Sequence, residues 1–288
     1  MSRVIYSLYI DLSEDELDFF DKNIVKNKQV SRNVITRNQF KKNYDKLKGL
    51  QKLYAEQNKC DYILFENDEK FINFKTLFNE KYPYLTSYNI VNFYKIYLLY
   101  DLSKKYDEIL YLDFDVVPLN NENFFEHNDL SKGIFVLNNN DRVSKLTDIG
   151  ENTQTIRSPN AKYYNAQAML FEKGLSTEND VINTGIIGIN KEHLIKLNYF
   201  KDFDDNMNMM TNLKSDTNMF PKRIVKYFGY DNETLFSVKI KENKVPVKWL
   251  SKKWHYFFDW PVYIPNDITF VHAINKRFDV IWDKMSNA

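Results

Sequence analysis

The sequence predicts an α/β fold, with a mainly parallel central sheet and helices on both faces. Three observations carry that expectation. Short runs rich in β-branched and aromatic residues recur through residues 1–118, and stretches with helical apolar spacing separate them. Strands alternating with helices imply parallel pairing, because each crossover helix returns the chain to the same edge and covers a face. The third observation is size. A chain of 288 residues with 43% apolar content can bury a large core, which excludes global disorder.

The elements follow in order. "RVIYSLYIDL" reads as the first strand. "SEDELDFFDKNIVKN" opens a helix, with Ser13 as N-cap and Glu16 completing a capping box. "VSRNVIT" (30–36) reads as a short second strand. "NQFKKNYDKLKGLQKLYAEQN" places Phe40, Tyr44, Leu47, Leu50, Leu53 and Tyr54 at helical spacing. "CDYILFE" is a third strand, helices follow over 70–80 and 87–105, and "EILYLD" is the fourth strand. Beyond Pro118 the alternation stops. "GIFVL" (133–137) is a strand, and 138–180 is a polar insertion, helical around 161–171. "VINTGIIGIN" (181–190) is a strand, helices follow at 191–201, 217–228 and 231–241, and "DITFVHAI" ends in a strand near His272. No repeat or linker divides the chain, so a single domain over 1–288 is expected.

Charge and cysteine content exclude several classes. Forty basic residues balance thirty-nine acidic ones, and a net charge of +1 leaves no footprint for nucleic acid. The lone Cys60 allows neither an internal disulfide nor a zinc cluster, which fits a cytoplasmic location. No leader-like N-terminus and no window of eighteen apolar residues is present, so no transmembrane segment is expected. The most apolar stretch, "NIVNFYKIYLLYDL", carries Lys95 and Asp101 and reads as a buried amphipathic helix.

"YDEILYLDFDVVPLN" holds the densest chemistry. Asp113 and Asp115 close an apolar strand with only Phe114 between them. Ligands of parallel sheets bind beyond the carboxyl ends of the strands. Asp11, Glu66, Asn67 and Asp68 are expected at the same edge. Two adjacent carboxylates repel, so either water solvates them at a turn or a cation sits between them; hard oxygen ligands suit Mg²⁺ or Mn²⁺. A haloacid-dehalogenase-like phosphatase could use the same letters, with Asp113 as nucleophile and Asp115 as general acid. That motif normally ends a domain's first strand, whereas three predicted strands precede it here, and the chain has no Gly-Asp dipeptide.

Four segments in order carry a family resemblance. "NFYKIYLLYDLSKKYDEILYLDFDVV" resembles the sugar-nucleotide-dependent glycosyltransferases of the glycogenin and bacterial lipopolysaccharide galactosyltransferase group, whose fold is GT-A, a Rossmann-like α/β fold. "INTGIIGIN" is similar to their "FNAG" or "FNSG", "GYDNETLFS" to "D-Q-x-x-L-N", and "TFVHAINKRFDVIW" to "V-H-F-x-G-x-x-K-P-W". Asn275 stands where the family has Gly, and no Pro precedes Trp282. The resemblance covers roughly 1–118, the nucleotide-binding part, and 181–282, within a donor-sugar and acceptor part over 119–288.

The resemblance implies a metal-dependent transferase moving a sugar from a nucleotide diphosphate sugar, a UDP-sugar, to a glycan, protein or lipid-linked acceptor hydroxyl. It implies retention of anomeric configuration, by a front-face or a covalent route. Asp113, Asp115 and His272 would hold Mn²⁺ or Mg²⁺, with Asp113 also bridging to the nucleotide. Lys95 would reach the donor, and Lys276 or Arg277 the diphosphate. Base and ribose would lie over Tyr9, Asp11 and the loop with Glu66 and Asp68. Asn183, Thr184 and Gly185 would contact the donor sugar, and Asp231, Asn232 and Glu233 the reacting centre. Each has a plainer reading: Lys95 snorkelling, a bulged strand at Asn183–Gly185, helix capping at Asp231, a structural His272. A catalytically silent sugar-nucleotide-binding protein would keep the same letters. The insertion 138–180 is expected as an acceptor-side lid, with Trp249, Trp254 and Trp260 as stacking surfaces or as core.

Overall fold

The computed structural model describes residues 1–13, 16, 32–145, 158–215, 222–225, 227–258 and 263–287. Its described elements are β1 (Arg3–Leu8), α1 (Arg32–Gln57), β2 (Asp61–Phe65), α2 (Glu69–Lys81), α3 (Ser87–Leu102), β3 (Glu108–Leu112), β4 (Val116–Pro118), α4 (Phe124–His127) and β5 (Ile134–Asn138). Then come α5 (Ser158–Glu172), β6 (Ile182–Asn190), α6 (Lys191–Leu197), α7 (Phe203–Ser215), α8 (Lys222–Val225), α9 (Asn232–Glu242), β7 (Val247–Trp249), β8 (Tyr256–Phe257), β9 (Phe270–His272) and α10 (Phe278–Ser286).

The main sheet has the order β2-β1-β3-β6-β5-β7. β6 runs against both its neighbours, and the other strands share one direction, so the sheet is mainly parallel as the alternation predicts. The pleat divides each central strand between two cores. Val4, Tyr6 and Leu8 of β1, with Ile109 and Tyr111 of β3, face a core built with α2, α3 and α5 to α9. Ile5, Leu110 and Leu112 face the opposite side, against Tyr54 of α1, Phe124 of α4 and Phe270 of β9. A small second sheet, β4-β9-β8, stands beside that face and packs under α1 and α10.

Several boundaries differ from expectation. The run expected as a strand over 30–36 is helical from Arg32, the start of α1. Its β-branched residues favour a strand locally, but tertiary packing overrides so weak a preference. The helix expected after Ser13 falls largely outside the described residues. At its start, Glu16 accepts from the Ser13 amide at 2.9 Å and its own amide donates to the Ser13 hydroxyl at 3.4 Å, both arms of the expected capping box. The helix expected over 191–201 stops at Leu197, where Asn198 takes a left-handed φ of 44°. The helix expected over 217–228 is described only at Lys222–Val225. Phe203–Ser215, for which no element was assigned, is a helix that buries Phe203, Met207 and Met210. Within the insertion, α5 is no loose excursion: Tyr164, Ala168, Met169 and Leu170 are buried in the main core against α9 and α7.

Candidate active site

The carboxyl ends of β1 and β3 open into a cleft of about 560 Å³. β3 ends at Leu112, and the chain turns at once: the Val116 amide donates to the Asp113 carbonyl at 2.9 Å. Three neighbours fix this turn. The Asp113 amide donates to the Gly185 carbonyl of β6 at 2.7 Å. The buried amide of Gln51, on α1, donates to the carbonyls of Asp113 at 3.1 Å and Val116 at 2.8 Å. Its oxygen accepts from Ser7 at 2.6 Å and Tyr62 at 3.1 Å, so every hydrogen-bonding position of that amide is used. Between the two aspartates, Phe114 packs its ring on Tyr9 and Phe40, with centroids 4.9 and 5.7 Å away.

His272 arrives from the second sheet. β4 continues directly from the aspartate turn, and its pairing with β9 sets Val116 opposite His272. The Ala273 amide donates to the Asp115 carbonyl at 3.0 Å. His272 Nε2 then lies 3.4 Å from Asp115 Oδ2 and 3.6 Å from Asp113 Oδ2. One ligand atom from each of the three lies within 4.8 Å of the others. Two carboxylates and an imidazole suit Mg²⁺ or Mn²⁺, and their side chains converge from independent elements on one point. Gly185 makes room for the ring: a Cβ there would sit 2.3 Å from His272 Cε1.

Two lysines flank the carboxylates. Lys276 pairs with Asp115, while Lys95, buried, lies 3.5 Å from Asp113 and donates to the Thr184 carbonyl at 3.2 Å. Burial opposes the charge on Asp115, but Lys276 and His272 outweigh it and hold its pKa well below the usual carboxylate range. Tyr111 donates to Asp113 at 2.5 Å. Behind His272 lies His255, fully buried, with Nε2 2.9 Å from His272 Nδ1. Burial, reinforced by His272, pushes the pKa of His255 well below its ordinary value, so that ring is neutral.

The other wall belongs to α9 and α5. Asp231 caps α9, accepting from the amides of Glu233 at 2.8 Å and Thr234 at 3.2 Å. Glu233 is buried; one oxygen accepts from the Thr184 amide at 2.7 Å and hydroxyl at 3.1 Å, and Lys162 pairs with the other. Lys162 also lies 3.5 Å from Asp231. Burial works against both charges of this pair, and the pairing prevails: Glu233 is held below, and Lys162 above, its ordinary pKa.

Of the residues singled out from sequence, Tyr9, Asp11, Lys95, Asp113, Asp115, Asn183, Asp231, Asn232, Glu233, His272 and Lys276 line this one cleft. Others sit elsewhere. Glu66 accepts from the Tyr44 hydroxyl at 2.8 Å, and Asp68 caps α2 through the Phe71 amide at 2.8 Å. Thr184 turns its hydroxyl inward to Glu233 and Asn232, and Gly185 works through its carbonyl and its lack of a side chain. Arg277 is exposed and does not line the cleft, so Lys276 is the cation of that pair found there. Asp11 is engaged by Arg37 at 2.7 Å and Lys41 at 2.9 Å. Trp254 packs in the core on Phe124 and Phe270, Trp249 is exposed on β7, and Trp260 lies outside the described residues.

Sequence reading missed Gln51, Lys162, Arg37 and His255. Nothing local marks the first three among the many polar residues of their helices. His255, one of only four histidines, carried the one usable signal, its rarity.

No family model matches the chain, and no curated protein matches it. Among solved structures it is similar to a glycosyltransferase involved in the glycosylation of the major capsid of PBCV-1, at 14% identity over 99% of this chain and 100% of that one, with a TM-score of 0.47. It is similar to an active-site mutant of LgtC at 10% identity, over 94% of this chain and 87% of that one, with a TM-score of 0.44. It is also similar to mouse xyloside xylosyltransferase 1 at 10% identity, over 94% of this chain and 97% of that one, with a TM-score of 0.43.

Proposed function

We propose that this chain is a single-domain glycosyltransferase of the GT-A type. It moves a sugar from a nucleotide diphosphate sugar, a UDP-sugar, to an acceptor hydroxyl, with retention, and works in the cytoplasm. The observation that carries the reading is the convergence of Asp113, Asp115 and His272 on one point at the strand ends. Beside it, Tyr9, Phe40 and Phe114 form an aromatic floor of the kind on which a base stacks. Lys276, from the loop after β9, supplies positive charge for a diphosphate. On the opposite wall Asn183 and Asp231 offer an amide and a partly exposed carboxylate to sugar hydroxyls.

Asp113, Asp115 and His272 would hold Mn²⁺ or Mg²⁺, which supplies Lewis-acid stabilisation of the charge that develops on a leaving diphosphate. Charge balance then explains cooperation between metal and nucleotide. Asp113 and Asp115 are offset by Lys95 and Lys276, so the site is neutral without ligands. A divalent ion alone leaves an excess of positive charge, and a diphosphate alone lacks a counterion; together they offset one another. Lys276 also reaches from Asp115 over the Phe40 ring, 5.1 Å from its centroid, a place from which it can turn to a diphosphate.

Calorimetry of Mn²⁺ binding with and without UDP tests this directly. Weak binding of either alone and much tighter binding together is expected, with metal-dependent hydrolysis of a UDP-sugar when no acceptor is present. Equal UDP affinity in EDTA and in Mn²⁺ would return the two aspartates to a solvated strand end. Synergistic binding without hydrolysis or transfer would leave a silent sugar-nucleotide-binding protein.

A further inference from the structure

His272 has two ring nitrogens with different surroundings. Nε2 faces Asp113 and Asp115, and Nδ1 faces Nε2 of His255 at 2.9 Å. His255 is 1% exposed, and its own Nδ1 is buried without a hydrogen-bond partner among the described residues. The pair is held rigidly. The His255 amide donates to the Ser251 carbonyl at 3.1 Å, the two rings lie 5.1 Å apart, and Phe257 stands edge-on to His272 at 5.2 Å. Gly185 closes the other side of the ring.

To ligate a cation His272 must be neutral, and one contact between two neutral imidazoles carries one proton. If His255 donates it, His272 must bear its own proton on Nε2, the nitrogen that faces the aspartates, and cannot give a lone pair to a cation. If His272 donates from Nδ1, its Nε2 is left bare and aimed at the two carboxylates, and the proton of His255 moves to its partnerless Nδ1. The total number of protons is the same in both arrangements. A ligating histidine ordinarily gives its second N–H to a carboxylate, carbonyl or water, which fixes its tautomer; here another imidazole takes that place.

We infer that His255 is a positioning residue for the cation site: it accepts the Nδ1 proton of His272 and so holds Nε2 ready to ligate. This rests on the cation reading of Asp113, Asp115 and His272 proposed above. Nδ1 of His255 lacks a partner among the described residues in either arrangement, so the choice between them rests on Nε2 of His272 being required bare for a cation. A purely structural histidine would sooner place its Nδ1 against a carbonyl or at the surface.

The test uses the full chain. Mn²⁺ binding in the presence of UDP, read from the free-ion electron paramagnetic resonance signal, is compared for the native protein, His255→Phe and His255→Gln. His255→Phe keeps a buried ring and removes the acceptor, so Mn²⁺ affinity drops about 10–100-fold, the range for losing an outer partner of a metal ligand. His255→Gln, whose side-chain oxygen can accept the same proton, recovers most of the affinity. Native-like Mn²⁺ affinity in His255→Phe overturns the inference while leaving the cation site standing. Absence of Mn²⁺ binding by the native protein overturns both. Should His255→Phe not fold, nitrogen NMR of the native protein with Mg²⁺ and UDP decides: His255 protonated on Nδ1 and His272 bare on Nε2 supports the inference, and His255 protonated on Nε2 overturns it.

Discussion

The two walls of the cleft use acidic side chains in opposite ways. On the α9 wall Glu233 is saturated: both oxygens are taken by Thr184 and Lys162, and its charge is closed within the protein. At the β3 end, Asp113 and Asp115 also have lysine neighbours, yet each aims an oxygen at the same point as His272. Buried acids that converge on protein groups build the framework. Acids that converge on one another and on His272, at the mouth of a sheet, form the arrangement on which the proposed cation site rests. The contrast separates support from chemistry without any appeal to similarity.

The largest effect should come from Asp115→Asn. It keeps the shape of the side chain but removes a converging charge, so transfer or donor hydrolysis should fall about 100–1,000-fold, as when a charge-stabilising group is lost. Thermal stability should fall as well, because a carboxylate whose pKa the fold depresses contributes to folding, with the loss limited by Lys276 turning to solvent at the cleft. A large stability loss with activity retained would erase the contrast between the walls. Lys162→Met should do the reverse. It leaves Glu233 buried and unpaired, so urea unfolding should show a loss of about 2–4 kcal/mol, somewhat below a fully buried pair because Lys162 is partly exposed.

Gly185→Ala sharpens the comparison by disturbing the converging wall through sterics alone. The added methyl would meet the His272 ring, so the ring or β6 must shift, at a cost of about 1–3 kcal/mol. Weakened Mn²⁺ binding beside intact UDP binding in EDTA is the expected signature. The smallest effect belongs to the rim. Burial raises the pKa of Glu16, but Lys75, the Ser13 amide and the hydroxyls of Ser87 and Ser13 bring it down from 4.5 to about 2. A depressed folded-state pKa stabilises the protein above the unfolded value, and the contribution is lost as pH falls from 4.5 towards 2. Glu16→Gln should therefore cost about 1 kcal/mol at neutral pH, and less below pH 4.5, in acid titrations followed by circular dichroism.

How far the sequence disclosed these walls follows from the range of the interactions. Asp113 and Asp115 were legible because an apolar strand ending in two acids is a local pattern. His272 was legible for the same reason, as the polar end of an apolar run. Lys162 was not, since its role exists only through Asp231 and Glu233, far along the chain. Thr36 reads as the end of a strand because Val34, Ile35 and Thr36 are β-branched, and Arg37 falls between elements, yet both lie in α1 and line the cleft. Parallel pairing was implied by the strand–helix alternation only as far as β3. The antiparallel β6 and the second sheet depend on register, which no short window contains.

Gln51 has a consequence for how the molecule comes into being. Its amide joins Ser7, 44 positions behind it, to Asp113 and Val116, 62 and 65 positions ahead. Contacts of such separation form only after large loops have closed, so they cost entropy early and return stability late. The turn bearing the aspartates cannot be nucleated by its own neighbours. Its carbonyls are tied to α1 through Gln51, and the imidazole of His272 is brought in by β9, so both supports are contacts of long sequence separation. The Val116 amide should accordingly exchange its hydrogen only on global opening rather than by local fraying. The cleft is thus a property of the finished fold, and a partly assembled chain does not yet have it.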